Sequence, residues 1–473
     1  MRILGPDGNP IQTGPPVSDE VKQIVERAKA IATQQGDPAS ALQQLVFAFQ
    51  TDVSSDLVLD TTIELLTTMA TMTGNDPAQS EELQLFVQLR EKRDDALLYF
   101  QVGNRFFQLQ QSFVARPFLA RAKELLNGEI NELSQAIDVD HAQCLMDLGA
   151  YQDAINAFHA LNDTYGGLPI WLVLEMAECY ALLRQIDEAE AVYQIAPPDA
   201  AAQFPGMESV REEVGDLLAR VRDFDETEEM TLRDWHYVQT RAMLLETNPD
   251  ESVPGERFIF FQPSEEDVAY VVAMAAAVLD NKGYAPNRIL WLGPNSEPLA
   301  LLFAQWWEID PENIRPYKHG DNVDDEAELS LLVMAHANDV LVLESEEEFI
   351  DLAQARAGLI TFALDVRWTE RQPMTPDIAG FLTQACNLPW ETRFIVDEAA
   401  ETVTRVDETR DAQTIALEIA AQFPKDDESD TFAQELLEEY EICTDLILDH
   451  RDGELIRRPL VTHSPIKSPR LGF

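Results

Sequence analysis

The feature that most constrains this chain is a pattern of small and large apolar residues in "MDLGAYQDAINAF", residues 146–158. Gly149 follows an apolar helical segment, and glycine ends helices readily because it adopts the left-handed conformation without a Cβ penalty. The residues after it place Ala154, Ile155 and Phe158 on one face of a second helix. A small residue lets two helix axes approach, and a large residue fills the groove beside it. The stretch therefore predicts the turn and second helix of a helical hairpin.

The same pattern recurs along the first half of the chain, with a period of about 34 residues. The recurring positions are Gly36, Ala41, Leu45 and Ala48 near the start; Gly103, Phe106, Ala115, Leu119 and Ala122 in a later copy; and Ala177, Tyr180, Ala189, Tyr193 and Ala196 in the last. Recurrence at a fixed period predicts that the hairpins stack on one another, because one hairpin alone cannot bury its apolar face.

This code of small and large residues resembles the tetratricopeptide repeat (TPR), closely over residues 95–197 and more loosely over residues 20–245. The resemblance implies a curved groove that is lined by the first helix of each hairpin and binds a segment of another protein. The groove positions that it implies are Asn104, Phe107, Gln143, Met146, Glu178 and Ala181. The apolar members Phe107 and Met146 fit packing between repeats equally well, and an ordinary helical bundle is the alternative fold.

After a polar, turn-rich segment at residues 248–256, short apolar runs alternate with helical patterns. We predict strands at 257–263, 288–294, 339–345, 359–366 and, as a last edge strand, 393–398. We predict helices at 265–283, 297–309, 327–337, 346–358 and 375–387. Strands that are apolar throughout and alternate with helices indicate a buried, mostly parallel sheet with helices on both faces.

The predicted fold class is therefore multidomain, with an all-α TPR-like helical repeat followed by an α/β domain. The predicted parts are an extended N-terminal segment at 1–19, the helical repeat at 20–247, the α/β domain at 257–400, two C-terminal helices at 410–449 and a basic, flexible tail at 450–473. The alternative for the tail is that it docks onto the acidic body or onto another copy of the chain.

A ligand of such a sheet would bind beyond the carboxyl ends of its strands. Asn295, Ser296, Glu344 and Asp365 lie at or just beyond the carboxyl ends of predicted strands and form the candidate ligand site. The segment "LGPNSEPLALLFA" could hold a phosphate at a helix N-terminus, or Ser296 could simply cap that helix. We interpret His319 and His336, one on a loop and one on a helix, as structural histidines, and Asp365 with Arg367 as a surface ion pair.

The element order of this domain resembles a type I phosphoribosyltransferase, with "DVLVLESEEEF" in the place of the acidic strand end. Glu344 matches one of the two acidic residues of that family, but Ser345 stands in place of the second. Carboxylates from Glu346 to Glu348 replace the phosphate loop and would repel a 5′-phosphate. We therefore predict no catalytic residues and no cofactor. The alternative is a nucleotide- or phosphoribosyl-dependent enzyme with Glu344 and Asp365 at its site.

The net charge of the chain restricts the classes of partner that it can bind. Its 34 basic and 85 acidic residues give a net charge of −51, which repels nucleic acids and anionic membranes. A protein partner with a basic surface is favoured on this ground, while solubility or adaptation to salt explains the acidity without any partner. The predicted function is a scaffold or adaptor that binds another protein, and an oligomer is compatible with the sequence.

Cysteine usage and the N-terminus bear on the compartment. The four cysteines never form a C-x-x-C pair, and their spacing with histidine does not match a zinc site, so we predict buried thiols and no metal. The N-terminal residues lack the apolar run of a signal peptide, and no segment is long and apolar enough to cross a membrane. A cytoplasmic protein is expected.

Overall fold

The structure is a computed structural model in which the chain forms two compact units. It describes residues 18–74, 76–109, 111–202, 204, 206–224, 229–245, 257–323, 328–343, 345–367, 374–391, 393–397, 402–406, 408–450 and 469–472. The first unit comprises Met1–Leu183 and Ala191–Met207, and the second comprises Arg184–Glu190 and Glu208–Phe473. The predicted boundary at residue 247 therefore lies inside the second unit.

The first unit is built from helices. They are α1 (Asp19–Ala30), α2 (Pro38–Thr51), α3 (Asp56–Met72), α4 (Glu81–Glu91), α5 (Ala96–Gln108), α6 (Ser112–Leu126), α7 (Glu132–Asp147), α8 (Tyr151–Tyr165), α9 (Ile170–Leu182), α10 (Ile186–Tyr193), which contributes residues to both units, and α11 (Pro198–Ala201). Local sequence sets their ends: Asp37, Ser80 and Asp95 accept hydrogen bonds from first-turn backbone N–H groups, and Gly166 ends α8 with a φ of 78°.

The predicted crossing of small against large residues is present between α5 and α6. A Cβ atom on Gly103 would lie 2.8 Å from Cγ of Leu119, so only glycine fits there without moving the leucine. The alanines predicted at the recurring positions Ala115, Ala122 and Ala154 have no exposed surface. The helical hairpins of the sequence analysis are therefore present, with their small residues at helix contacts.

Four of the first six helices, α2, α4, α5 and α6, contribute aromatic rings to one core. The Phe118 ring on α6 lies 5.1 Å from the Phe49 ring on α2, 5.9 Å from the Phe86 ring on α4 and 6.0 Å from the Phe106 ring on α5, measured between centroids. Because rings from four helices meet at one point, this part of the unit is a closed bundle with its own core.

The second unit is built on a parallel sheet. The strands of the unit are β1 (Met243–Leu244), β2 (Arg257–Phe261), β3 (Arg288–Leu292), β4 (Ile314–Pro316), β5 (Ser330–His336), β6 (Leu359–Arg367), β7 (Ile378–Cys386), β8 (Arg393–Asp397), β9 (Thr402–Val406) and β10 (Pro469–Gly472). The sheet order is β10-β2-β7-β6-β5-β3-β4, and β1 pairs with the first half of β7. Every described pairing in this sheet is parallel, and β8 and β9 form a separate antiparallel hairpin.

The second unit also contains helices, some of which pack on the sheet. They are α12 (Met207–Arg222), α13 (Leu232–Thr240), α14 (Glu265–Asn281), α15 (Glu297–Trp306), α16 (Glu346–Gln354), α17 (Ala412–Ala420) and α18 (Asp426–Glu439). The helix α14 contacts β7, while α15 contacts β3 and β5. In turn α18 packs on α14 and α17 packs on α15, so the predicted C-terminal helices form an outer layer.

Three predicted elements of the second unit are wrong, and a fourth is a strand as predicted but lies outside the main sheet. Residues 330–336 form strand β5 where we predicted a helix at 327–337, and residues 337–342 form a 3-10 helix where we predicted a strand at 339–345. Residues 378–386 form strand β7 where we predicted a helix at 375–387. The segment predicted as a last edge strand of the sheet, 393–398, supplies β8 of the hairpin.

The end of the chain joins the sheet. Residues Pro469–Gly472 form β10 and pair in parallel with β2, so the last described residues lie against the body as the docking alternative proposed. The rest of the predicted tail, from 451 to 468, lies outside the described residues, as do residues 1–17 of the predicted N-terminal segment.

Candidate functional site

The first candidate surface lies on α5, α7 and α9, each the first helix of a hairpin. Nδ2 of Asn104 on α5 donates a hydrogen bond of 2.7 Å to Oδ2 of Asp140 on α7. Nε2 of Gln143 on α7 donates a hydrogen bond of 2.9 Å to Oε1 of Glu175 on α9. These contacts place the three first helices side by side. We call the surface that carries Asn104, Asp140, Gln143, Glu175 and Glu178 the first-helix face.

The predicted groove residues divide into two groups. Asn104, Gln143 and Glu178 are half-buried polar residues on the first-helix face. Phe107 packs against a cluster formed by Ala115, Leu119 and Cys144, and it therefore fills the space between hairpins. Met146 and Ala181 are buried, so neither of them can line a groove.

The first-helix face is acidic. Of the five residues that define it, Asp140, Glu175 and Glu178 are acidic, and neither α7 nor α9 contains Lys or Arg. Burial raises the pKa of Asp140, and the hydrogen bond from Asn104 opposes that rise. Asp138, on another side of α7, is paired with Lys123 at 2.6 Å and lies outside this face.

The second candidate site lies at the carboxyl end of the parallel sheet. Its centre is His336, the last residue of β5, whose ring lies between two carboxylates. Nδ1 of His336 is 2.9 Å from Oδ2 of Asp365 on β6, and Nε2 is 3.1 Å from Oε1 of Glu391 in the segment after β7. Asp365 also accepts a hydrogen bond of 2.6 Å from Oγ1 of Thr383 on β7. We call His336, Asp365, Thr383, Glu391 and Asn295 the strand-end cluster.

The electrostatics of the cluster favour a charged imidazole. Burial alone would lower the pKa of His336, but its hydrogen bonds to Asp365 and Glu391 outweigh burial and raise the pKa to about 10. Burial would likewise raise the pKa of Glu391, yet the hydrogen bonds from His336, Leu388 and Asn295 hold it below its ordinary value. Near pH 7 both ring nitrogens of His336 therefore donate to carboxylates.

A second set of contacts joins the loop after β3 to the end of β5. Oγ of Ser296 donates to Oδ2 of Asp339 at 3.0 Å and accepts from the backbone N–H of Ala335 at 2.7 Å. Ser296 stands at the N-cap position of α15, but its side chain makes these contacts and does not cap the helix. Gly293, with φ of 84°, is required because a Cβ atom there would lie within 2.2 Å of Asp339.

The structure brings together three of the four residues predicted for the ligand site, Asn295, Ser296 and Asp365. Glu344 lies outside the described residues. Residues 337–342, in the segment where the phosphoribosyltransferase resemblance placed the acidic strand end, form a 3-10 helix.

Two residue-level interpretations at the same site are corrected, and three residues of the strand-end cluster were missed. Asp365 is fully buried, so Asp365 and Arg367, 3.7 Å apart, are not a surface pair. His336 lies on a strand and not on a helix, and His319 is an exposed turn residue, 3.7 Å from Glu348. His336, Thr383 and Glu391 were not predicted at the site. For His336, the signal available in the sequence was a polar residue directly after a run of apolar residues.

Other site classes find no support in the described part of the chain. No group of three or more His, Cys, Asp or Glu side chains is placed there to hold a metal ion, and no described helix combines the length and apolar character needed to span a membrane. The four cysteines are buried and free of disulfides.

Comparison with known proteins adds no assignment, because no protein-family model and no curated protein matches the chain.

Proposed function

We propose that the first unit acts as a scaffold or adaptor and binds a segment of another protein on the first-helix face. The observation that carries this proposal is the pair of hydrogen bonds that joins α5 to α7 and α7 to α9. Helical arrays whose first helices lie side by side offer a continuous surface to an extended chain or a helix.

A TPR-like arrangement of α5 to α9 is part of the same proposal. It is supported by the close approach of Gly103 to Leu119 and by the buried alanines Ala115 and Ala154 at the recurring positions. The closed aromatic core around Phe118 includes α2, α4, α5 and α6, so the proposed array shares α5 and α6 with that bundle, and α1 to α4 would support it from one end.

The proposed partner is a protein segment with a basic surface. The carboxylates of α7 and α9, without any Lys or Arg in either helix, attract cations and steer a basic chain toward the face. Nucleic acids and anionic membranes are unsuitable partners because the net charge of −51 repels them. Four buried free thiols fit a reducing compartment, and we propose the cytoplasm.

The enzyme alternative rests on the strand-end cluster, where Asn295 and Asp365 lie at the ligand-binding end of the sheet. It is weaker because a general base needs a free ring nitrogen, and both nitrogens of His336 face carboxylates. Thermal-shift titration with nucleotides and phosphoribosyl pyrophosphate would separate the two functions. A magnesium-dependent rise in melting temperature that is lost in Asn295→Ala, taken relative to that variant's own ligand-free melting temperature, would favour the enzyme.

The scaffold proposal is tested with the full-length chain as bait in an extract of the native host. We compare the wild type with Glu178→Arg on the first-helix face and with Asp153→Arg, which reverses a charge at an exposed position of α8. A partner that is retained by the wild type and by Asp153→Arg but lost by Glu178→Arg supports the proposal. Partners that bind all three proteins equally would contradict it.

A further inference from the structure

The carboxylate of Glu391 is held by donors from three places in the second unit. Oε1 accepts a hydrogen bond of 2.6 Å from Nδ2 of Asn295 and lies 3.1 Å from Nε2 of His336. Oε2 accepts a hydrogen bond of 2.9 Å from the backbone N–H of Leu388. Two side-chain donors and one backbone donor that converge on a single carboxylate form the kind of environment that binds an anion.

The position of these donors is that of a ligand site. Asn295 lies in the loop between β3 and α15, and His336 ends β5, so both stand at the carboxyl end of neighbouring parallel strands. Ligands of parallel sheets bind at this end. Glu391, by contrast, belongs to the segment that follows β7 and reaches back over β5.

We propose that Asn295, His336 and the N–H of Leu388 form a binding site for the carboxylate or phosphate group of a small ligand, and that Glu391 occupies this site as an internal competitor. The inference concerns the second unit and is independent of the scaffold function. A ligand anion replaces one carboxylate by another negative group, so the donors of Asn295 and His336 keep an acceptor.

The packing around Glu391 permits this exchange. Leu388 is fully buried and Trp390 is 6% exposed, and the indole Nε1 of Trp390 donates a hydrogen bond of 2.8 Å to the backbone oxygen of Asn295. The Glu391 side chain itself is 16% exposed. Rotation of that one side chain into solvent therefore leaves the anchored backbone and all three donors in place.

The charges of the strand-end cluster also favour the binding of an anion once the Glu391 carboxylate has moved away. The positive groups are His336 and Arg367, and the carboxylates are Asp365, Glu391 and, beside the His336 backbone N–H, Asp339. Withdrawal of the Glu391 carboxylate removes one of three negative charges and leaves the imidazolium with one ring donor unpaired. A small anion at that point restores the pairing.

The test measures the affinity of inorganic phosphate, and separately of acetate, for the full-length protein by isothermal titration calorimetry at matched ionic strength in sodium chloride. We compare the wild type with Glu391→Ala, which removes the competitor, and with Glu391→Gln, which keeps the shape of the side chain and removes its charge. Glu312→Ala, which removes an exposed carboxylate elsewhere in the unit, is the matched control.

We expect Glu391→Ala to bind phosphate or acetate about tenfold or more tightly than the wild type, with Glu391→Gln between them and Glu312→Ala equal to the wild type. The double variant Asn295→Ala/Glu391→Ala should lose that gain. Tighter binding of phosphate than of acetate would indicate a phosphorylated ligand, and the reverse order a carboxylate. Equal affinities of wild type and Glu391→Ala, or retention of the gain without Asn295, would overturn the proposal. If Glu391→Ala does not fold, Glu391→Gln with no higher affinity than the wild type would overturn it.

Discussion

At the scale of single residues, the second unit keeps a carboxyl group paired with a histidine in its interior. Asp365 is fully buried, and its two oxygens accept hydrogen bonds from Thr383 and His336. Loss of one member of a buried ion pair leaves the other charge without a partner, which costs more than the pair itself contributes. The cluster is therefore sensitive to single substitutions even though it adds little net stability as a whole.

We predict that Asp365→Asn lowers the free energy of unfolding by about 3 kcal/mol near pH 7, because the imidazolium of His336 loses one of its two carboxylates. Urea unfolding followed by circular dichroism measures the change. Asp153→Asn, at an exposed position of α8, is the control and should change stability by about 0.5 kcal/mol or less. Similar effects of the two substitutions would argue against a charged cluster.

The same variant has a pH signature. The pKa of His336 is raised to about 10 in the folded protein from a reference value of 6.5, so the folded state binds more protons between these values. The stabilisation is complete below pH 6.5 and is lost as the pH rises through 10, with a slope of about 1.4 kcal/mol per pH unit. We expect Asp365→Asn to flatten the decline of stability in this window.

A second buried histidine predicts the opposite dependence. His236 on α13 is 2% exposed, and neither of its ring nitrogens has a hydrogen-bond partner within the described residues. Burial lowers its pKa from 6.5 to about 4, so the unfolded chain takes up a proton that the folded chain does not. Its contribution is present above pH 6.5 and is lost as the pH falls to 4, by about 3 kcal/mol in total.

We predict that His236→Leu removes this acid-dependent loss and leaves stability at pH 7 equal or higher, because no hydrogen bond is broken. Unfolding free energies at neutral pH and near pH 5 give the measurement. His159→Gln, at an exposed position, should keep the acid slope of the wild type. An unchanged slope in His236→Leu would show that other groups cause the acid sensitivity.

At the scale of elements, sequence pattern was sufficient for the hairpins and insufficient for two strands. The positions Gly103, Ala115 and Ala154 were predicted as helix contacts, and all three are buried in hairpins. Strands β5 and β7 were predicted as helices because "SLLVMAH" and "IAGFLTQAC" are apolar and lack an alternating pattern. Burial on both faces removes the alternation that distinguishes a strand, so only pairing with neighbouring strands decides the structure.

The same error explains why His336 was not assigned to the strand-end cluster. Because His336 was predicted to lie on a helix, it was not placed at the edge of the sheet and was not grouped with Asp365. The two residues are in fact partners in the register of β5 and β6. Glu391 lies outside any regular element, and its contact with Asn295 spans a sequence separation that no local pattern encodes. Asn295 and Ser296 were found because their strand, β3, was predicted correctly.

The packing of small against large residues in the hairpins gives a prediction at this scale. Gly103→Val adds a Cβ atom and two methyl groups. The Cβ atom alone would lie 2.8 Å from Cγ of Leu119, so α5 and α6 must separate. We expect a loss of about 1–3 kcal/mol in the free energy of unfolding, as for overpacked cores. Gln101→Val, at an exposed position of the same helix, shares the lower helix propensity of valine without the clash and should cost about 0.5 kcal/mol. Equal losses would mean that the helices do not cross closely there.

At the scale of the whole molecule, charge opposes folding. Several basic side chains are engaged by more than one carboxylate: Arg90 lies within 3.2 Å of both Asp56 and Asp60. Arg410 is paired with Glu265 and Glu408 at 2.7 Å each. With 34 basic against 85 acidic residues, such pairs still leave a net charge of −51 on the chain. The compact state brings these charges closer than the unfolded chain does, so their repulsion lowers stability.

We therefore predict that the melting temperature rises with sodium chloride, most steeply at low salt. The Debye length falls from about 30 Å at 0.01 M to about 10 Å at 0.1 M, so most long-range repulsion is screened by about 0.2 M, and the curve should flatten beyond that point. Preferential exclusion of a solute such as sucrose gives a rise that grows in proportion to concentration, so the shape of the curve separates the two causes. Differential scanning calorimetry across this range provides the measurement. A melting temperature that is constant or falls below 0.2 M salt would mean that ion pairs, which salt weakens, outweigh the repulsion among the 85 acidic residues.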